Sequence, residues 1–169
     1  KPATTDDIVI MNTSHGTIKL ILYPDKAPHH CNNFKKLANS GFYDMTFFHR
    51  VIRNFMIQGG DILSRDSDRK NDGHGEPGWT IDEEFSNLKH KKGILSMARG
   101  PSINSAGSQF FICHKDAPWL DANKRWDSWE KYNDINNNGR YDKGEPFEDK
   151  LNYTIFGKVI ENIHIIDII

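Results

Sequence analysis

No apolar run in this sequence approaches the length needed to cross a bilayer, which excludes a membrane-spanning helix. Charge of one sign is equally scarce: 22 Lys and Arg against 23 Asp and Glu leave a formal net charge of −1. The basic residues lie scattered among acids, so no nucleic-acid or anionic-membrane partner is indicated. Cysteine occurs only at Cys31 and Cys113, one on an apolar helical stripe and one ending a Phe-Phe-Ile run. Both places suit packing better than a disulfide, and the redox compartment stays open. Redox and nucleotide cofactors find no motif, since there is neither a Cys-x-x-Cys nor a phosphate-cradling glycine loop. The chain begins at Lys1 rather than Met, as a processed or cut sequence would.

What is there suffices for one domain with a real core, 169 residues long. Residues 1–7 are small and polar and read as a loose tail, with a single domain over 8–169. Ile8–Met11 and Thr17–Leu22 form a hairpin across Asn12–Gly16, and Ile18, Leu20 and Leu22 share one face. Pro28 opens a helix whose stripe is Cys31, Phe34, Leu37 and Ala38, and Gly41 ends it. Short strands are predicted at Met45–Ile52, Phe55–Gln58, Ile94–Ala98, Gln109–Cys113 and Tyr153–Val159, with a second helix over Asn162–Ile169. Many short strands with one early and one late helix predict a mainly β, closed barrel capped by two helices. Ser64–Gly78 and 122–152 are too long for plain barrel loops.

Three segments carry the chemistry: Phe47–Asp61, Gly93–Arg99 and Asn104–Ile112. Within them Arg50, then Phe55-Met56-Ile57-Gln58, then Gly107-Ser108-Gln109-Phe110-Phe111 stand at a spacing that resembles the cyclophilin family of peptidyl-prolyl isomerases. Trp119-Leu120-Asp121 and Phe156-Gly157-Lys158-Val159 add to the resemblance, which runs from about Ile8 to the end, interrupted by 122–152. It implies an eight-stranded antiparallel barrel, whose last strand this sequence lacks, ending as it does at Ile169. It also implies proline-containing polypeptides as partners, no cofactor for catalysis, and a monomer.

The reaction suits those residue types. An X-Pro amide turns over in tens of seconds or more behind a barrier of about 18–20 kcal/mol. Lowering it needs no nucleophile, only an apolar socket, groups that hold the flanking backbone, and a donor favouring the twisted amide. By resemblance, Phe55, Met56, Phe111 and Leu120 line the proline socket. Arg50 donates to the prolyl amide, Gln58 orients it, Gln109 and Ala98 line the side of the preceding residues, and Trp119 closes one edge. Arg50, Phe55 and Gln58 are the catalytic candidates. Taken alone, Phe55, Met56, Phe110 and Phe111 each read more readily as core, whereas a charge inside the apolar run around Arg50 is costly without a purpose. His49 reads as a structural neighbour of the arginine.

Two departures from the best-known eukaryotic pattern stand out: Tyr153 where a groove histidine is usual, and Arg99 where asparagine follows Met-Ala. Both look bacterial, and they weigh against cyclosporin-like ligands more than against activity. A second motif lies in the insertion, where Asp134, Asn136, Asn138, Asp142 and Glu145 fit a twelve-residue calcium loop, with Gly139 at the sharp turn and the carbonyl of Arg140 as a further ligand. Three carboxylates and two asparagines predict modest affinity, a structural Ca2+, and an extracytoplasmic bacterial setting. Two other readings remain: a non-catalytic proline-peptide binding module, and a calcium-stabilised scaffold.

Overall fold

The computed structural model describes residues 4–122 and 152–169. Its frame is one curled antiparallel sheet of seven strands: β1 (Ile8–Thr13), β2 (Gly16–Leu22), β3 (Arg50–Ile52), β4 (Met56–Gly59), β5 (Ile94–Met97), β6 (Phe110–Cys113) and β7 (Ile155–Glu161), ordered β1-β2-β7-β5-β6-β4-β3. Among the described residues the sheet is a seven-stranded half-barrel, without the eighth strand that the sequence was expected to lack and without closure. β1 and β3 form its edges, each hydrogen-bonded to one neighbour. The first hairpin is tighter than predicted, because Thr13 pairs with Gly16 and both strands run to the turn.

Period-2 alternation divides the central strands between two cores. Ile57 of β4, Leu95 and Met97 of β5, and Phe110 and Ile112 of β6 face inward with Ile18, Leu20 and Leu22. Against them packs α1 (Pro28–Asn39), which buries Cys31, Phe34 and Leu37 of the predicted stripe. Met56, Ile94, Phe111 and Cys113 point the other way into a second cluster with Leu120 and Ile155. Both cysteines are free and buried.

Helix α1 also buries two polar residues that the apolar stripe did not reveal, His30 and Asn33. Asn33 donates to Gly107 O at 2.8 Å and accepts from the Trp79 indole at 2.9 Å. The free N–H groups of the first turn are capped from a distance. Glu84 accepts from His29 N at 3.0 Å and His30 N at 2.9 Å, and meets His30 Nδ1 at 2.7 Å. Glu84→Ala, which strands all three groups, is expected to lower the unfolding free energy by roughly 1–3 kcal/mol in urea titration.

The second predicted helix is a short 3-10 turn, Ile163–Asp167. β7 runs on to Glu161, Asn162 turns the chain at φ 60°, and the β-branched isoleucines that follow are stiff in a helical turn. Met45–Ile52 shortens to β3 because Met45 adopts φ 62° and the chain straightens only beyond it.

The expected loose tail is tied down from Thr4 onward. Residues Thr5–Asp7 form a 3-10 turn in which Asp7 accepts from Thr4 N at 2.9 Å and from Lys35 Nζ at 2.8 Å. The hydrogen bond from Lys35, aided by that from Thr4, holds the Asp7 carboxyl below its ordinary range. Its contribution to stability is thus complete above the ordinary carboxylate range and is lost as pH falls through the lowered value. Asp7→Asn should flatten that acid limb in a stability–pH series while leaving the groove described next untouched.

Candidate functional site

The sheet's register assembles the site. Arg50 pairs with Gln58 across β3 and β4, and Gln58 pairs with Phe111 across β4 and β6, so the three side chains stand in a row. Phe110 and Phe111 show what that register decides. The first packs edge-on against Phe34 at 5.4 Å inside the sheet, while the second faces outward and meets Tyr153 edge-on at 5.5 Å. Gly60, directly after β4, must be glycine. It holds φ +84°, and a Cβ there would sit 2.5 Å from Ser108 O.

The outward face forms a socket of about 310 Å³. Met56, Phe111 and Leu120 are its buried floor, Phe55, Ala98 and Tyr153 its half-buried walls, and Trp119 its exposed rim. Trp119 reaches over to Phe55, ring centroids 5.6 Å apart. At the mouth, Arg50 is exposed rather than buried in an apolar run, because β3 is an edge strand. It therefore carries its charge without a desolvation cost.

Amide side chains hold that guanidinium in place. Arg50 Nη1 donates to Gln58 Oε1 at 3.2 Å, and Gln58 Nε2 donates to Gln109 Oε1 at 3.0 Å. Gln109 Nε2 is anchored in turn on Gly73 O at 3.0 Å and Gly75 O at 3.2 Å. The Ser64–Gly78 stretch, too long for a plain barrel loop, thus supplies the backbone on which the relay ends. Asp61 fixes it there, accepting from Leu63 N and Gly73 N.

All the groove residues predicted from the sequence except Gln109 line this socket, and Gln109 stands one hydrogen bond behind Gln58. Arg99 was singled out only as a departure from the family pattern, and His90 was missed. Arg99 lines the wall, its guanidinium 5.0 Å from the Tyr153 ring and its Nε donating to Asn152 O. His90 lies behind Phe111, stacked on its ring, and no local pattern marks it. The calcium-loop residues Asp134, Asn136, Asn138, Arg140, Asp142 and Glu145 lie outside the described residues, among which no cluster suited to a metal occurs.

Chemically, the site offers donors and an apolar recess. Its nearest thiol, Cys113, is pushed up to about 12 by burial and holds no thiolate at neutral pH.

Comparison with known proteins agrees with this geometry. Residues 8–169 match the family model described as cyclophilin type peptidyl-prolyl cis-trans isomerase/CLD. A peptidyl-prolyl cis-trans isomerase of Dictyostelium discoideum, cypE, is 46% identical over 125 residues, 70% of this chain and 74% of that protein. Peptidyl-prolyl cis-trans isomerase A of Dickeya dadantii is 37% identical over 165 residues, 98% of this chain and 72% of that protein. The crystal structure of a Cryptosporidium parvum cyclophilin-type isomerase, solved in the presence of the dipeptide Ala-Pro, superposes with a TM-score of 0.70 at 32% identity. The match covers 95% of this chain and 83% of that one.

Proposed function

This chain belongs to the cyclophilin-type peptidyl-prolyl cis-trans isomerase family, and from that premise we propose that it accelerates X-Pro isomerisation in polypeptides by binding the twisted amide at Arg50. The observation that carries the reading is a pre-set guanidinium at the lip of an apolar socket, aligned by Gln58 and Gln109. The pyrrolidine ring occupies the recess over Met56, Phe111 and Leu120. Arg50 donates to the prolyl carbonyl and towards the amide nitrogen. As the C–N bond twists, that nitrogen regains its lone pair and becomes a better acceptor, so the interaction strengthens in the transition state. No bond is made to the enzyme, which suits a site without an activated nucleophile.

The test is isomerisation of an Ala-Pro tetrapeptide by the whole chain. A rate well above the uncatalysed one supports the reading. Saturable binding of the same peptide with no acceleration would replace it with a binding module.

The proposal extends to a structural Ca2+ on Asp134, Asn136, Asn138, the Arg140 carbonyl, Asp142 and Glu145, supported by the match of every loop position. The closed eight-stranded barrel of the family and an extracytoplasmic bacterial setting belong to the same reading. Chelation is expected to lower Tm by several degrees, and Glu145→Gln to abolish calorimetric Ca2+ binding. An unchanged Tm with no heat of binding would remove the metal from the proposal.

A further inference from the structure

Behind the socket, one buried residue reaches three of the segments that build it. The His90 side chain is 0% exposed and stacks on Phe111, ring centroids 6.0 Å apart at 13°. Its Nδ1 meets Asp121 Oδ1 at 3.0 Å, and its own backbone N–H donates to the same oxygen at 2.8 Å. Asp121 directly follows the 3-10 turn Pro118–Leu120, which carries Trp119 and Leu120. The start of that turn is held as well, since Ala117 N donates to His90 O at 2.7 Å. On its far side, His90 Nε2 meets Ser96 Oγ at 3.0 Å, and Ser96 Oγ donates to Thr154 O at 3.0 Å. Ser96 lies two residues before Ala98, and Thr154 follows Tyr153.

From this geometry we infer that His90 is a positioning residue for the isomerase reaction, setting Phe111, Trp119–Leu120 and Tyr153 in register so that the socket fits the twisted prolyl ring. The inference rests on the isomerase reading for its kinetic consequence, though not for its structural one. The four walls come from separate stretches of chain: β6, the Pro118–Leu120 turn, the residues just after β5, and those just before β7. Backbone pairing fixes the strands. The turn that carries Trp119 and Leu120 is held by Tyr153 N, which donates to Leu120 O at 3.3 Å, by the Phe55–Trp119 contact, and at its two ends by His90. An imidazole suits the task because it is flat enough to stack and offers a polar nitrogen on each side. With the ring neutral and its Nδ1–H on Asp121, the single Ser96 hydroxyl proton has two acceptors, Nε2 and Thr154 O. Turned to Thr154 O it joins β5 to the Tyr153 wall, and turned to Nε2 it joins β5 to His90. Burial, the largest influence on His90, favours that neutral form over the charge-raising pull of Asp121. Because His90 touches no substrate, its effect must travel through the walls.

The experiment compares wild type, His90→Asn, Asp121→Asn and a control, Asp7→Asn, which loses stability far from the groove. Kinetics on the Ala-Pro tetrapeptide are taken well below each variant's Tm. The Trp119 indole N–H and Tyr153 ring signals are followed by NMR, since neither ring is stacked on His90. The expected result is a kcat/KM about tenfold lower in His90→Asn, with most of the loss in kcat. Asp121→Asn should show the same direction of change and shift the same Trp119 and Tyr153 signals, while Asp7→Asn loses Tm alone. A folded His90→Asn protein with kcat/KM within twofold of wild type would overturn the inference. So would unmoved Trp119 and Tyr153 signals, or a control whose activity falls in step with its Tm. If wild type shows no acceleration, the isomerase reading fails on its own, and the Trp119 and Tyr153 signals still decide whether His90 positions the walls.

Discussion

Arg50→Ala is expected to lower kcat/KM for an Ala-Pro peptide by roughly 10²- to 10³-fold, the range found when one pre-set donor to a transition state is removed. The fold should survive, because Arg50 is exposed on an edge strand and, among the described residues, its side chain hydrogen-bonds only to Gln58, at 3.2 Å. The loss should therefore fall on rate, with Tm within a degree or two of wild type. Arg50→Lys separates charge from shape. An ammonium keeps the positive charge but lacks the planar fork that can reach carbonyl and nitrogen together, so recovery should be small. A loss of less than tenfold in Arg50→Ala would mean that the socket alone distorts the amide, and Arg50 would lose its central role.

Phe34→Ala is expected to cost about 3–5 kcal/mol of unfolding free energy, the range for deleting a buried aromatic ring. Phe34 is 1% exposed, and three other rings close on it: Tyr43 at 5.0 Å, Phe110 at 5.4 Å and Phe156 at 5.4 Å. A cavity opened among four aromatic residues of α1, β6, β7 and the turn after α1 cannot collapse without moving the sheet. Such a cost is a large part of the roughly 5–15 kcal/mol that a domain possesses. Urea unfolding with an unchanged m-value is the check. A loss near 1 kcal/mol would show that the surrounding rings close over the gap, and that the inner core is softer than its packing implies.

Much of this was legible along the chain. Pro28 with Cys31, Phe34 and Leu37 marked α1, since a 3.6-residue period needs no tertiary help to be seen. The groove residues were legible as well, because Arg50, Phe55-Met56-x-Gln58 and Gln109-x-Phe111 sit at a spacing that paired strands convert into one surface. What escaped notice was polar and distant. Glu84 caps α1 from more than fifty residues away, and His90 reaches Ser96 and Asp121 from a segment without periodicity. The Asn162–Ile169 run misled because crowded isoleucines mimic a helical face, while branching at Cβ lowers their helix propensity.

By itself, the sequence determined the family, the reaction class, the apolar inward residues Cys31, Phe34 and Leu37 of α1, and most of the side chains around the socket. It did so because these are properties of local period and of motif spacing. The tertiary structure alone decided which of the neighbours Phe110 and Phe111 is core and which is socket. A one-residue change of register would exchange them, and register is a relation between strands. It alone also put Arg50 in solvent, by making β3 an edge, and set Gln109 behind Gln58 on the carbonyls of Gly73 and Gly75. Hydrogen bonds between remote segments have no period for a sequence to display. They exist only once the chain has closed on itself.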